Sequence, residues 1–264
     1  YRAHGMRVHT LTPSNTKKGL KATPFSEHLI NLEENNRALR DSEGSRIFPL
    51  SEEDLPPDIR PNRTKLLADI IRFHKPRSFV ETGTWNGGRA IEMALAAFEN
   101  ADEITYKGYD LFEDATEETD DEEFNLKAHV TKAAVEKRLT EFKDKIKKDK
   151  NKTFNFKLIK GNTRDVLEKE VPDFALIGGG NSIITIQNDY NKLEGARIKM
   201  VDNFFTKDSQ NKKPSKKYNG VNVLVETLEG AKRIVLPSSD PVKEGGVTHY
   251  ALIYDERTVP ALPD

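Results

Sequence analysis

Phe79-Val80-Glu81-Thr82-Gly83-Thr84-Trp85-Asn86-Gly87-Gly88 sets an apolar run, an acid and a glycine-rich turn in immediate succession. Behind it, Ile91, Ala94, Leu95 and Phe98 fall at i, i+3, i+4 and i+7, which predicts an amphipathic helix with those four on its buried face. Strand, glycine turn and helix bring backbone against a nucleotide-like ligand, because glycine lets the main chain approach where a Cβ would clash. The carboxylate of Glu81 at the strand end argues against a phosphate and for a hydroxylated or cationic ligand. An ordinary tight turn would use the same glycines. Trp85, the only tryptophan, reads either as a wall of a ligand site or as packing between turn and helix.

The elements that must hold this turn follow from periodicity. After Pro61-Asn62, the spacing of Leu66, Leu67, Ile70 and Ile71 predicts a helix that stops before Pro76. Strands are predicted over 78–83, 104–110, 154–160, 173–178, 197–202, 232–236 and 247–254, and helices over 88–99, 126–148, 163–169, 183–193 and 219–229. Alternating strands and helices imply a mostly parallel sheet covered on both faces. The last two strands have no helix between them, which implies an antiparallel finish at one edge. Residues 1–60 lack sustained periodicity beyond one short helix around 25–39 and read as an N-terminal extension or lid, or as partly disordered chain. Met6 reads as the natural start of the protein, and 61–264 as one α/β domain.

Composition narrows the function classes. The 264 residues carry a net charge of −1, so nothing pulls the whole molecule toward nucleic acid or an acidic membrane. Without a long apolar run or a signal-peptide pattern, a soluble, cytoplasmic protein is expected. Zero cysteines exclude disulfides, Cys-ligated zinc and a cysteine nucleophile. The acidic stretch 113–123, the lysine-rich 143–152 and the basic 207–217 read as solvated surfaces. The last is the one to watch, because it follows a strand's C-terminus, the edge where α/β proteins bind ligands.

Four segments together resemble the class I S-adenosylmethionine-dependent methyltransferases, closest to their small-molecule O-methyltransferase-like subgroup. They are Val80 to Gly88; Tyr106-Lys-Gly-Tyr-Asp110; Asp173 to Ser182 followed by Asn188-Asp189-Tyr190; and Lys199-Met-Val-Asp202-Asn203. The likeness covers about 60–255 and implies a Rossmann-like, seven-stranded, mostly parallel sheet with an antiparallel last strand. It implies S-adenosylmethionine as cofactor, held by Glu81 near the ammonium, by Gly83, Thr84 and Gly87 around the amino-acid tail, by Asp110 on the ribose hydroxyls and by Leu111 on the adenine. Asn162 and Thr163 would meet the adenine edge, although Thr163 reads equally as a helix N-cap.

The chain departs from the family pattern at the fourth strand, where Gly178 and Asn181 stand in the places of an Asp and a His, and at Asp202-Asn203 in place of Asp-Asp. One carboxylate and two amides form a poor divalent-cation site, so no tight metal is expected. Asp202 and His249 are the candidate bases. The leading expectation is methyl transfer to a small polar, possibly anionic acceptor, at oxygen, with 204–219 forming part of its site. The alternative is a cofactor-binding protein with impaired catalysis and a regulatory role. A nicotinamide enzyme is disfavoured because the turn lacks Gly-x-Gly-x-x-Gly.

Overall fold

The computed structural model describes residues 63–123, 125, 128–206, 219–228, 231–236 and 247–255. The N-terminal 1–60 segment with its short helix, and the basic stretch 207–217, lie outside these residues. Leu66, Leu67, Ile70 and Ile71 form the buried face of α1 (Arg63–His74). Then come β1 (Ser78–Thr82), α2 (Gly88–Ala97), β2 (Glu103–Asp110), a 3₁₀ turn (Phe112–Asp114), α3 (Glu117–Glu122), α4 (Lys132–Lys150) and β3 (Thr153–Lys160). The chain continues through α5 (Thr163–Val166), β4 (Phe174–Ile177), α6 (Ile183–Lys192), β5 (Ile198–Thr206), α7 (Asn219–Thr227), β6 (Ala231–Leu236) and β7 (Val247–Asp255).

These strands make one seven-stranded sheet in the order β3-β2-β1-β4-β5-β7-β6. β1 runs parallel to β2 and β4, β2 to β3, and β4 to β5. β7 is antiparallel to both β5 and β6, inserted between them. The expected architecture, Rossmann-like with an antiparallel last strand, is therefore the observed one. Chain order reverses on either side of β1, which opens a crevice beyond the C-terminal ends of β1 and β4.

Successive strand residues serve opposite faces, as the two-residue period requires. Phe79 packs with Tyr106, Phe154 and Phe174 under α1, α2 and α4, whereas Val80 joins Ala175, Ile177 and Val201 under α6 and α7. Each such side chain contributes about 1.5–3 kcal/mol when fully buried, so both layers fix where the strands end.

Four local expectations need correction. Along α2 and its C-cap, Ala94 and Phe98 are buried and Ile91 packs against the core as expected, with Ala90, Met93, Ala96 and Ala97 completing the face, but Leu95 is 43% exposed. The helix presents its small residues to α1, and small residues permit that close approach, so the bulky Leu95 is turned outward. α4 begins at Lys132 rather than 126, because the Thr131 hydroxyl accepts from the Ala134 N–H and caps it there. α5 is a single turn capped by Asn162, whose Oδ1 accepts from the Arg164 N–H at 3.0 Å, so Thr163 is the first helical residue and not the cap. β5 runs four residues past the expected 202 and carries a register shift between Val201 and Phe204.

Candidate active site at the strand ends

The glycine turn is locked to its neighbours through backbone. Gly83 has φ of +83°, and a Cβ there would lie 2.6 Å from the carbonyl oxygen of Gly178 and from the Cα of Gly179. Only glycine fits, because the β1 turn and the glycine run after β4 touch main chain to main chain. The Gly83 and Thr84 N–H groups both donate to the Tyr109 carbonyl. The Trp85 N–H donates to Asp110 Oδ2 and the Phe112 N–H to Asp110 Oδ1, each at 2.7 Å. A carboxylate has about four lone-pair sites, so each Asp110 oxygen keeps capacity for a hydroxyl.

Gly83, Asp110, Leu111, Asn162 and Thr163 line one cavity at this edge. Glu81, Thr84 and Gly87 lie beneath it. Glu81 is 0% exposed and Thr84 is 1% exposed with its hydroxyl 3.2 Å from that of Tyr106. Gly87, at φ of +75°, caps α2 and faces Val135 and Leu139 of α4. These three build the turn and are not among the residues lining the cavity.

Under the turn runs a chain of charges. Glu81 accepts a hydrogen bond from the Tyr106 hydroxyl at 2.6 Å and lies 3.0 Å from Arg89 Nε. Arg89 also donates to the Gly83 carbonyl at 3.1 Å and to Asp202 Oδ2 at 2.5 Å. The other Asp202 oxygen accepts from Arg63 at 2.7 Å and from the Asn203 N–H at 2.8 Å. Burial pushes the Glu81 carboxyl above its ordinary range, against the opposing pull of Arg89 and Tyr106. The Glu81 and Asp202 carboxylates hold Arg89 as a firm cation despite its desolvation.

The bulge in β5 places this chain. Asp202 and Asn203 occupy the register shift, Asn203 with φ of +66°, and bulges redirect side chains toward sites of this kind. Gly178 is also explained here: a Cβ on it would meet Asp202 Cβ at 3.2 Å and Arg89 Nη2 at 3.5 Å. Both oxygens of Asp202 are held by guanidinium N–H groups. Asp202 is also 3% exposed and does not line the cavity, so it serves as an anchor for the two arginines and does not fit the role of base. His249 pairs across from Phe204 in β7; its side chain lies outside the described residues.

Most of the acidic stretch is solvated as expected, with Glu113, Asp114, Glu117, Glu118, Asp121 and Glu122 exposed, but part of it also forms a cavity wall. Thr119, Asp120, Glu122 and Glu123 line the cavity with Asn125 and His129. Glu123 is buried, and its carboxylate accepts from the Asn181 and Ser182 N–H groups at 2.8 and 2.9 Å and from the Ser182 and Thr185 hydroxyls. Glu122 pairs in a bidentate manner with Arg164. His129 Nε2 is 2.7 Å from Asp120 Oδ1, and Trp85 Nε1 donates to the neighbouring Ala128 carbonyl. Trp85 thus both lines the cavity and pins its wall.

Behind the cavity Asp189 is 0% exposed, and its Oδ2 has no hydrogen-bond partner. Burial raises its pKa to about 6, with the Thr163 and Thr82 hydroxyls and the Asn188 amide opposing. The folded protein therefore holds a proton that the unfolded chain releases near 3.8, and stability falls as pH rises from about 4 through about 6. Asp189→Asn is expected to gain about 2–3 kcal/mol at pH 7.5 and nothing near pH 4, read by urea unfolding at both values.

Sequence reasoning missed Arg63, Arg89, Glu123 and His129. Arg89 did leave a signal: a cation in the first turn of α2 opposes the helix dipole, and such a local violation marks a functional place. His129 and Glu123 left none, because nothing in linear spacing relates them to the strand ends. The residues present do not fit a divalent cation, with no ligand at Gly178, Asp202 taken by guanidinium groups, and the Asn203 amide donating to Asn181 Oδ1 at 3.2 Å. Among the described residues no group of three or more His, Asp or Glu could hold a metal, and no helix is long and apolar enough to cross a membrane.

No protein-family model matches the chain, and no curated protein matches it. Among solved structures it is similar to the O-methyltransferase TomG of Streptomyces achromogenes in complex with S-adenosylmethionine, at 14% identity, covering 73% of this chain and 79% of that one, with a TM-score of 0.46. It is similar to an O-methyltransferase of Bacillus cereus in complex with S-adenosylhomocysteine, at 14% identity, covering 94% and 100%, TM-score 0.47. An rRNA methylase of Streptococcus thermophilus gives 12% identity, 72% and 95% coverage and a TM-score of 0.47.

Proposed function

We propose that the protein is an S-adenosylmethionine-dependent methyltransferase acting on a small polar acceptor at oxygen. The observation that carries this reading is the position of Asp110. It ends the strand beside the glycine turn, faces the crevice where chain order reverses, and keeps acceptor capacity on both oxygens. That is a site for a nucleoside diol. Asn162, whose Oδ1 is spent on the helix cap, still has its amide N–H groups for an adenine edge. Leu111 supplies an apolar surface beside it. The cofactor brings the electrophilic methyl group when bound; the chain's task is to align, exclude water and accept a proton.

Alignment can supply about 7–11 kcal/mol in favourable cases, and proton removal typically about 10²–10⁴-fold. The proton acceptor best supported is His129, held by Asp120 in the cavity wall, so that one ring nitrogen is oriented by the carboxylate and the other is left for a substrate hydroxyl. Gly178 favours a rebuilt site over an idle one, since the space it leaves is taken by the Asp202–Arg89 pair. A small polar acceptor and a cytoplasmic setting belong to the same reading, supported by composition alone. The acidic wall gives no support to an anionic acceptor.

Calorimetry with S-adenosylhomocysteine, followed by cofactor turnover against a metabolite library, tests the proposal. Binding in the micromolar range with turnover of a hydroxylated acceptor is expected. Failure to bind the nucleoside would overturn it, and binding without any turnover would favour the regulatory reading.

A further inference from the structure

We infer that Arg63 and Arg89 grip the carboxylate of the cofactor's amino-acid tail, and that Glu81 does not hold its ammonium. This deepens the proposed function and rests on it.

The argument is about which charges face the cavity. Four ionised side chains meet below the glycine turn, namely Glu81, Arg89, Asp202 and Arg63. Both arginines line the cavity; neither carboxylate does. Glu81 is 0% and Asp202 is 3% exposed, while the side chains of Arg63 and Arg89 are 27% and 23% exposed. An ammonium entering past Gly83 would meet guanidinium groups first and could reach Glu81 only by displacing Arg89. A carboxylate entering the same way meets two cations already held in place by buried acids.

Donor capacity agrees. A guanidinium carries five N–H groups; the contacts of Arg89 to Glu81, Gly83 and Asp202 use three, and the Tyr250 hydroxyl takes a fourth. Arg89 keeps one N–H for an oxyanion, and Arg–carboxylate pairs are among the stronger charge-assisted contacts. Because two acids balance two bases, a zwitterionic tail adds no net charge to the site. The cluster also leaves a consistent distance relation. Gly83 and Gly178, whose backbones frame the turn, are the residues that Arg89 contacts or nearly contacts, so the tail's end would sit where the two glycine loops meet.

Two ligands separate the possibilities by titration calorimetry. S-adenosylhomocysteine carries both tail groups; its decarboxylated analogue keeps the ammonium and lacks the carboxylate. The wild-type protein should bind the analogue at least tenfold more weakly. Arg63→Gln should weaken S-adenosylhomocysteine at least tenfold and change the analogue less than twofold, and Arg89→Lys, which keeps the charge but loses the fork, should act in the same direction. Circular dichroism checks that both variants are folded. Equal wild-type affinity for the two ligands, or parallel loss of both in Arg63→Gln, would overturn the inference while leaving the methyltransferase reading intact. Absence of any wild-type binding to S-adenosylhomocysteine would instead remove that reading, and this inference with it.

Discussion

Asp110→Ala is expected to weaken S-adenosylhomocysteine binding about a hundredfold. Two hydroxyls donating to an ionised acceptor contribute about 1.5–3 kcal/mol each before losses to solvent competition, and a hundredfold is about 2.7 kcal/mol. Part of the effect is indirect. The carboxylate also receives the Trp85 and Phe112 N–H groups, so its removal frees the glycine turn from the start of the cavity wall. A ligand lacking the 2′- and 3′-hydroxyls separates the two contributions: it should bind the wild type weakly, and its further loss in Asp110→Ala should be far less than a hundredfold and equal to the indirect part alone. Binding of S-adenosylhomocysteine by the variant within threefold of wild type, in calorimetry at matched salt, would show that no diol is held there.

Asp110 was legible from sequence because strand ends are where side chains escape the sheet, and strand ends can be read from apolar runs that stop at an acid. The same logic found Glu81, next to the last residue of β1, and Asp202, which lies inside β5 at its bulge and not at its end. It could not tell that a partner would seal them. Arg89 lies eight residues from Glu81 along the chain yet 113 from Asp202, and that long-range meeting depends on the bulge at Asp202–Asn203, which no periodicity announces. The wall formed by part of the otherwise solvated acidic stretch was missed for a related reason. Its composition suits a solvated surface, and only the docking of Glu123 on the Asn181 and Ser182 N–H groups turns it inward. Asn162 and Thr163 show how little separates two readings, since a shift of one residue moves the cap and with it the free end of the amide.

Arg89→Ala is expected to cost about 3–5 kcal/mol of stability, the range for breaking a buried ion pair by deleting one partner. At about 2–4 °C per kcal/mol for a chain of this size, the midpoint should fall by about 6–20 °C. The loss has a pH signature with a definite sign. Burial already raises the Glu81 carboxyl above 4.5 and Arg89 is the strongest opposing influence, so deleting it raises the folded-state value further. The folded variant then binds a proton that the unfolded chain releases, and its stability is lost as pH climbs through that raised value. The deficit relative to wild type should therefore be smallest near pH 4.5 and largest near pH 8. Where Arg89→Ala alone does not fold, Glu81→Gln combined with Arg89→Met keeps the test open, because replacing both members of a buried pair costs far less than removing one. That double variant should unfold at a higher temperature than Arg89→Ala at pH 8. A deficit that stays constant between pH 5 and 8, or a double variant less stable than the single one, would mean that Glu81 and Arg89 are not coupled beneath the glycine turn.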